Sequence, residues 1–298
     1  MLLQLENVQK QYHDFHLNCS LQVEEGCITG IIGANGAGKS TTFKAVLGLI
    51  KTEGGTIRIL GKDSREITIA DKQQIGVVLA ENTFNDTLTI EDIIPVMAAM
   101  YPAFRKDKFI DKCKQYDLPF KKQFKDFSTG MKAKFKLLLA MSYGARLLIL
   151  DEPVDGLDPV MRRQIWSIIM ADVSEHNTTV IVSSHNLREL EDVCDHVGIM
   201  HKGKIIIERS LSDLQGSVCK IQAAFQAEMP KLPEEFEVLH MSNTGRVYTL
   251  IVKGDPQEAR LQLEKMNPML IDILPLTLEE IFIYELGGVD YEVKDILF

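Results

Sequence analysis

The segment Ile31–Thr41 constrains the fold of this chain more than any other stretch. It reads Ile-Ile-Gly-Ala-Asn-Gly-Ala-Gly-Lys-Ser-Thr, which matches the phosphate-loop pattern of Gly, four residues and Gly-Lys-Ser. Its two isoleucines end a buried strand, and its glycines then let successive backbone N–H groups turn inward around an anion. The positive end of the helix that follows points at the same place. The segment therefore predicts an α/β domain that binds a nucleotide phosphate.

Each part of this loop has an expected task in holding phosphate. Lys39 supplies a point charge for the terminal phosphates, and Ser40 offers its hydroxyl to Mg²⁺. A chance match in a glycine-rich turn is the alternative that the rest of the chain has to exclude. The predicted nucleotide-binding residues of the loop are Gly33, Ala34, Asn35, Gly36, Ala37, Gly38, Lys39, Ser40 and Thr41.

The composition of the 298-residue chain fits a folded protein and argues against some functions. Its apolar content of 45% is enough for a core, and its formal charge of −9 does not favour general nucleic-acid binding. The five cysteines are scattered without metal or redox spacing, so we interpret them as buried thiols.

The start has no signal-peptide pattern, and no apolar run reaches the ~18–20 residues that cross a bilayer. If the protein works at a membrane, we expect another chain to cross it.

Charge is distributed unevenly along the chain. From Arg105 to Lys136, eleven Lys or Arg residues face four Asp residues. This basic run is interpreted either as a solvated helical face or as a surface attracted to acidic lipid headgroups or to an acidic cytoplasmic loop. From Gln215 to Phe298, seven Lys or Arg residues face fourteen Asp or Glu residues, so the end of the chain is acidic.

The predicted elements indicate a large α/β domain followed by a smaller one. Alternating residues predict N-terminal strands over Leu2–Val8 and Leu17–Val23, and the apolar runs Leu147–Leu150 and Thr179–Val182 predict central parallel strands. Residues 89–143 are predicted to be mostly helical. The expected proline interruptions of that helical segment are Pro95, Pro102 and Pro119.

The pattern of elements changes near Leu214, where short strands and helices take over. We predict a main domain over 1–214, with a helical subdomain at about 83–143, and a small α+β accessory domain over 215–298. The predicted fold class is α/β: a P-loop NTPase with a parallel-sheet core, an N-terminal antiparallel β-subdomain, a helical insertion and a small C-terminal α+β appendix.

Polar side chains follow both predicted central strands, at the edge where ligands bind in open α/β sheets. Asp151 is expected to hold Mg²⁺ from the side opposite Ser40, and Glu152 to orient and deprotonate an attacking water. His185 is expected to hydrogen-bond the γ-phosphate or to help hold the water. The structural alternatives are a solvated acidic turn for the carboxylates and a purely structural role for the histidine.

The order of these motifs resembles that of the ATP-binding subunits of ABC transporters. A phosphate loop is followed by a helical insertion, by Ser128-Thr129-Gly130, by Leu-Asp-Glu-Pro, by Gly156-Leu157-Asp158-Pro159 and by a strand that ends in His185. The resemblance covers roughly Leu2 to Leu214, and five independent patterns fall in the right order and spacing. It implies ATP and Mg²⁺ as the ligands.

The resemblance implies roles for several residues whose function the sequence alone does not identify. It implies that Tyr12 stacks on adenine and that Asp158 belongs to the segment called the D-loop. It also implies that the signature Ser128, Thr129, Gly130 and Met131 acts on ATP held by a second subunit. Ser128 and Gly130 match the family's Leu-Ser-Gly-Gly-Gln, whereas Phe127, Thr129 and Met131 do not. Such variants look like those of exporters of drugs, peptides and antibiotics.

A second departure lies after the predicted strand Ile75–Leu79. The family has a glutamine there that links Mg²⁺ and the water to the membrane subunit, whereas this chain has Ala80. Either Glu81 or Asn82 substitutes for the glutamine after a small shift of the loop, or the loop serves only as a mechanical lever.

The resulting hypothesis is an ATPase that drives export of a substrate through a separate integral-membrane permease subunit. A second ATPase subunit, identical or different, is expected to complete each ATP site, and no nucleic-acid partner is expected. The expected location is cytoplasmic, peripheral on the inner face of the cell membrane. The alternatives are a non-transport ABC ATPase and a regulatory module that binds ATP.

Overall fold

The computed structural model describes residues 1–80, 85–226, 229–232 and 236–286. Packing within the chain defines two compact units. The first contains residues 1–185 and 196–208, and the second contains residues 186–195 and 209–298. The boundary between residues 214 and 215 stays a prediction.

The first unit contains ten strands and six α-helices in its described part. A short 3₁₀ helix, Phe124–Asp126, lies between its fourth and fifth helices. The strands are β1 Leu3–Gln11, β2 His16–Val23, β3 Ile28–Ile32, β4 Gly54–Ile59, β5 Lys62–Asp63, β6 Ile75–Val78, β7 Leu147–Asp151, β8 Thr179–Ser184, β9 His196–His201 and β10 Lys204–Ser210. The helices are α1 Lys39–Val46, α2 Ile69–Lys72, α3 Ile90–Met100, α4 Lys106–Gln115, α5 Thr129–Met141 and α6 Pro159–His176.

The parallel-sheet core predicted from the sequence is confirmed. A six-stranded sheet has the order β10-β9-β3-β8-β7-β6, in which β3, β6, β7, β8 and β9 pair in parallel. The run Leu147–Leu150 is fully buried at its centre, because helices cover both faces of a parallel sheet. Strands β3, β7 and β8 all end at one edge of the sheet, and this edge carries the phosphate loop.

The predicted N-terminal antiparallel β-subdomain is also confirmed. Strand β1 pairs with β2 on one side and with β4 on the other, in a four-stranded sheet of order β2-β1-β4-β5. Alternate residues of β2 are buried, and they join Phe43 and Val46 of α1 in one core. This sheet therefore packs against the helix that follows the phosphate loop.

One expectation for the helical segment is wrong, and the cause is local. Pro95 was expected to interrupt the segment, but it lies inside α3 on an exposed turn. The carbonyl that its ring leaves without a donor can bond water there. Helix α5 of the same segment begins at Thr129, because the Ser128 hydroxyl caps it by accepting the N–H of Met131 at 3.2 Å.

The second unit is the predicted α+β structure. Its helices are α7 Leu187–Glu191, α8 Leu211–Ser217, α9 Pro256–Glu264 and α10 Leu278–Leu286, and its strands are β11 Val218–Ala224, β12 Val238–Thr244, β13 Val247–Lys253 and β14 Leu270–Leu274. The strands form an antiparallel sheet of order β12-β13-β11-β14, and Ala259 and Leu263 of α9 pack on one of its faces. Thr277 and Glu280 form a capping box at the start of α10, in which each side chain accepts the other's backbone N–H.

The helical segment of the first unit has an aromatic core of its own. The fully buried ring of Phe135 lies 5.5 Å from that of Phe124, 6.2 Å from that of Phe109 and 6.3 Å from that of Phe127. Aromatic pairs at these separations add to the stabilisation from buried apolar area. The core therefore holds α4 and α5 together independently of the nucleotide site.

Phe135→Ala is expected to lower the free energy of unfolding of the first unit by about 3–5 kcal/mol, since it leaves a cavity among three other rings. Urea unfolding can be followed by the fluorescence of Trp166, the single tryptophan of the chain, which is buried in this unit. Leu49→Ala is the control, because Leu49 is 60% exposed and its loss should change stability by less than about 0.5 kcal/mol. Equal midpoints for the two variants would contradict this assignment.

Candidate nucleotide-binding site

The shape of the phosphate loop depends on its glycines and on a hydrogen bond within its own backbone. Gly36 and Gly38 have φ of 81° and 116°, which favour glycine, and Gly38 is the residue before α1. At Gly33, a Cβ would lie 2.4 Å from the Met200 carbonyl oxygen, so only glycine fits between the loop and β9. The N–H of Ala37 donates to the Ala34 carbonyl at 3.1 Å and thereby closes a turn within the loop. The glycines thus serve the predicted backbone geometry.

A groove of about 450 Å³ lies along the outside of this loop. Six predicted residues of the loop line it together with Glu152 from the end of β7. The residues that line it are Phe15, Asn35, Gly36, Gly38, Lys39, Ser40, Thr41, Ala80 and Glu152. The loop and the catalytic candidate Glu152 are therefore brought to one cavity, as the motif order predicted.

Lys39 is held in place by the loop and by Glu152. Its ammonium donates to the Gly33 carbonyl at 2.7 Å and lies 3.2 Å from Glu152 Oε1, while only 4% of the residue is exposed. A buried ammonium needs such partners, since burying an unpaired charge is costly. The cation that is expected to meet the terminal phosphates therefore lies directly beside the candidate general base.

Ser183 joins the two carboxylates at the end of β7. Its hydroxyl donates to Asp151 Oδ1 at 2.6 Å and accepts the backbone N–H of Glu152 at 2.9 Å. Glu152 has φ of 48°, a left-handed conformation that costs about 1–3 kcal/mol in a residue with a side chain. Asp151 is 3% exposed. One buried hydroxyl thus supports both the orientation of Asp151 and the turned backbone of Glu152.

His185 lies at the outer side of the carboxylate pair. Its Nδ1 is 3.7 Å from Glu152 Oε2 and its Nε2 is 3.9 Å from Asp155 Oδ1, and 43% of its side chain is exposed. His185 directly follows β8 and lies beside Glu152, as predicted. From there it can hydrogen-bond a group bound next to Glu152.

The side chains of Ser40 and Asp151 fit a magnesium ion by their chemistry. Mg²⁺ prefers hard oxygen ligands, and it is commonly held by one or two protein oxygens together with phosphate and water. Ser40 lines the groove, and the buried Asp151 carboxylate has one oxygen fixed by Ser183. Because Ser183 orients this carboxylate, little reorganisation is needed to hold the ion.

The structure places the predicted adenine residue Tyr12 apart from the lining of this groove. Tyr12 is half-exposed, its ring lies 6.5 Å from that of Phe15, and the Lys10 ammonium lies 5.4 Å from its centre. Phe15 does line the groove, and its Cζ would be 2.8 Å from a Cβ at Gly38. Phe15 is therefore the aromatic residue in contact with the phosphate loop, and Tyr12 flanks it.

The signature residues lie at the start of α5. The Ser128 hydroxyl is the cap of that helix, and Thr129 is exposed beside it. A Cβ at Gly130 would lie 2.8 Å from Cγ and Cε of Met161 in α6, so the first turn of α5 packs closely against this side chain of its own chain. Met131 is half-buried, and Asp158 caps α6 by accepting the N–H groups of Val160 and Met161. None of the four signature residues belongs to the described lining of the groove.

Ala80 lines the groove at the position where the resemblance expects a glutamine. Its methyl group can donate or accept no hydrogen bond, so it cannot orient a water or a metal ion. The proposed substitutes, Glu81 and Asn82, lie outside the described residues.

Sequence reasoning missed two residues of this site. Ser183 precedes the predicted His185 by two positions, and the alternation of a strand places both side chains at the same edge. That alternation was the signal that could have identified Ser183. Phe15 had no comparable signal, because its contact with Gly38 depends on how β2 packs on the loop.

This chain is similar in sequence and in structure to known proteins. Residues 17–155 match the ABC transporter family. The chain is similar to the bacitracin transport ATP-binding protein BcrA of Bacillus licheniformis, with 32% identity over 92% of each chain. It is also similar to the ABC transporter ATP-binding protein YtrB of Bacillus subtilis, with 29% identity over 90% of this chain and 92% of that protein. A solved ATP-binding subunit of an ABC transporter has 25% identity and a TM-score of 0.65, and the match covers 72% of this chain and 92% of the other.

Ser183→Ala is expected to raise the Mg²⁺ concentration needed for half-maximal ATP hydrolysis by about tenfold. The substitution leaves Asp151 Oδ1 and the Glu152 N–H without a buried partner, which costs about 1–3 kcal/mol. ATPase rates measured over a magnesium titration test this. Ser183→Thr keeps the hydroxyl and should restore most of the magnesium affinity.

Ser142→Ala is the matched control for this measurement. Ser142 is also buried, but its hydroxyl donates to the Leu139 carbonyl, away from the groove. Equal magnesium dependence in Ser183→Ala and Ser142→Ala would show that Ser183 does not position the carboxylates.

Proposed function

The chain belongs to the ABC transporter family as one of its ATP-binding subunits, and we propose that it drives the export of a peptide antibiotic through a separate integral-membrane permease. Subunits of this family hydrolyse ATP to drive transport. The observation that carries the proposal is the groove in which Lys39, Ser40 and Glu152 meet at the end of the parallel sheet. It combines a cation for phosphate with a carboxylate placed beside it, which is the arrangement that phosphoryl transfer to water requires.

The polar residues of the groove and beside it have proposed tasks in hydrolysis. Lys39 and the N–H groups of the loop hold the phosphates, and Glu152 orients the attacking water and accepts its proton. His185, beside Glu152, donates a hydrogen bond to the γ-phosphate. Ser40 and Asp151 would hold Mg²⁺, which neutralises the charge on the phosphate oxygens.

We also propose that a second ATPase subunit, identical to this chain or different from it, completes the site. The signature residues Ser128–Met131 lie outside the described lining of the groove of their own chain. The capped start of α5 nevertheless presents a helix N-terminus, which suits a phosphate held by a partner. In this arrangement Tyr12 stacks on the adenine of its own chain, with Phe15 packed between Tyr12 and the phosphate loop.

A second groove of the first unit is the proposed docking place for the permease. It has a volume of about 600 Å³ and contains both apolar and cationic side chains. Ile75 and Val77 come from β6, which leads to Ala80, and Tyr101 follows α3 and stacks on Tyr143 at 4.2 Å. A segment docked there would therefore touch the strand that leads directly to the nucleotide groove. No helix of the described residues is long and apolar enough to cross a membrane.

The peptide antibiotic is proposed from the relative BcrA, whose name assigns it to bacitracin transport. YtrB and BcrA both match along about nine-tenths of this chain, so the similarity includes the second unit as well as the nucleotide groove. The proposed location is the inner face of the cell membrane, where the permease would hold the subunit. The similarity to transport proteins favours this reading over the non-transport ATPase and the regulatory module.

Glu152→Gln is expected to bind ATP but to hydrolyse it at least 100-fold more slowly, because an amide cannot accept the proton of the water. Binding of a fluorescent ATP analogue and release of phosphate measure the two properties separately. Glu175→Gln, which neutralises an exposed glutamate of α6, should leave both unchanged. Turnover within about threefold of the wild type in Glu152→Gln would exclude Glu152 as the base.

Deletion of the gene should make the organism that encodes this chain more sensitive to bacitracin. The minimum inhibitory concentration of bacitracin measures this, with a ribosome-directed antibiotic of another class as the control. The wild-type gene should restore resistance, and the Glu152→Gln gene should not, since export needs ATP hydrolysis. Unchanged sensitivity to bacitracin in the deletion strain would contradict the proposed substrate class.

A further inference from the structure

A group of three unlike side chains lies at the end of the sheet opposite the phosphate loop. Glu24 and Cys27 belong to the turn between β2 and β3, and His196 is the first residue of β9. One potential ligand atom from each, the carboxylate oxygen, the sulfur and a ring nitrogen, lies within 4.8 Å of the other two. We propose that Glu24, Cys27 and His196 form a binding site for a zinc-type divalent cation.

The turn that carries two of these residues is fixed by the surrounding structure. Gly26 has φ of 75°, and its N–H donates to Thr179 Oγ1 at 2.9 Å. A Cβ at residue 26 would lie 2.4 Å from Asn177 Oδ1, so this turn favours glycine at that position. Of the two glutamates in the turn, Glu25 pairs with Arg146 at 2.6 Å, whereas Glu24 lies 3.9 Å from His196 Nε2. The turn therefore presents one carboxylate to the imidazole.

Strand register brings the sulfur and the imidazole to one face of the sheet. Strand β3 pairs in parallel with β9, and the pairing sets Thr29 beside His196. Cys27 precedes Thr29 by two residues, and its carbonyl continues the ladder by accepting the N–H of Val180 at 3.0 Å. Since side chains alternate along a strand, Cys27, Thr29 and His196 lie on the same face. The juxtaposition thus follows from the fold itself and not from the chance rotamer of a surface side chain.

Two buried polar atoms at this place have no hydrogen-bond partner among the described residues. They are His196 Nδ1 and Thr29 Oγ1, and Thr29 is only 1% exposed. Buried polar groups normally have hydrogen-bond partners, so two such atoms without partners on register-paired residues need an explanation. A cation on Nε2 would fix the proton on Nδ1 and so define the tautomer of this imidazole. Thr29 is the residue that the parallel register sets beside His196, and its hydroxyl would accept that N–H only after the side chains move.

The chemistry of the three side chains selects the class of cation. A thiolate, an imidazole and a carboxylate suit zinc, whereas Mg²⁺ and Ca²⁺ prefer oxygen ligands alone. Zinc binds these atoms at ~2.0–2.3 Å, so a tetrahedral site requires the ligand atoms to approach by ~1 Å. Glu24 is exposed and can move by that amount. The nearby Glu208 carboxylate already accepts the Gln22 N–H at 2.7 Å, so it is not counted among the proposed ligands.

The position of the cluster indicates what a bound cation would do. Cys27 directly precedes β3 and the phosphate loop follows it, so the five-residue strand puts ~17 Å between them. A cation at this distance cannot take part in hydrolysis. It would instead join the β2–β3 turn to the start of β9 and thereby stabilise the first unit.

Zinc and cobalt titrations of the full chain without nucleotide test the proposal. Competition with a chromophoric chelator should give one Zn²⁺ per chain, and Zn²⁺ should raise the unfolding midpoint while Mg²⁺ should not. Co²⁺ should give a near-ultraviolet thiolate band that Cys27→Ser abolishes. Glu24→Gln and His196→Gln should each weaken zinc binding by about tenfold or more, the size seen even for outer-shell partners.

The chain offers matched controls for each ligand. Glu25→Gln changes the neighbouring carboxylate, and Cys113→Ser changes a buried thiol of α4, so both should bind zinc as the wild type does. Glu24 is exposed, so its variant remains folded even if His196→Gln does not. Absence of the cobalt–thiolate band, or unchanged zinc affinity in Glu24→Gln and Cys27→Ser, would overturn the proposal. Neither result depends on ATP hydrolysis, so the proposed function stands or falls separately.

Discussion

The parallel pairing of β3, β7 and β8 is the constraint on which the nucleotide site depends. These strands are buried along their whole length, so their register cannot slip without exposing apolar side chains. Because all three end at one edge, the phosphate loop, Asp151 and Ser183 meet there, although the loop is more than 100 residues from the other two in sequence. The 3.2 Å contact between Lys39 and Glu152 is a direct result of that register.

A strained residue at this edge is held by a hydroxyl that also orients the neighbouring carboxylate. Glu152 adopts a left-handed backbone, and the Ser183 hydroxyl compensates by accepting its N–H while donating to Asp151. Strain of this kind persists only where the surroundings over-determine it. Here the compensating hydroxyl is fully buried at the end of β8, so the geometry of both carboxylates is set by the sheet.

Local patterns were enough to predict the parallel sheet and the phosphate loop, because each depends on contiguous residues. The contact between Lys39 and Glu152 was not predicted, because it joins segments that are far apart in the sequence. Pro95 was misjudged because a helix tolerates proline where the freed carbonyl faces water, which depends on tertiary exposure. Phe15 and Ser183 were missed because their contacts join distant segments. The cysteine spacing likewise indicated no metal site, since the group at Cys27 combines three residue types and depends on the register of β3 with β9.

The contact between Gly130 and Met161 connects the first turn of α5 to the first turn of α6. The backbone N–H of Met161 donates to the cap residue Asp158, and the Met161 side chain packs directly against Gly130. A displacement of either helix start would therefore first meet the Met161 side chain, which lies between Gly130 of the predicted signature and the cap residue Asp158.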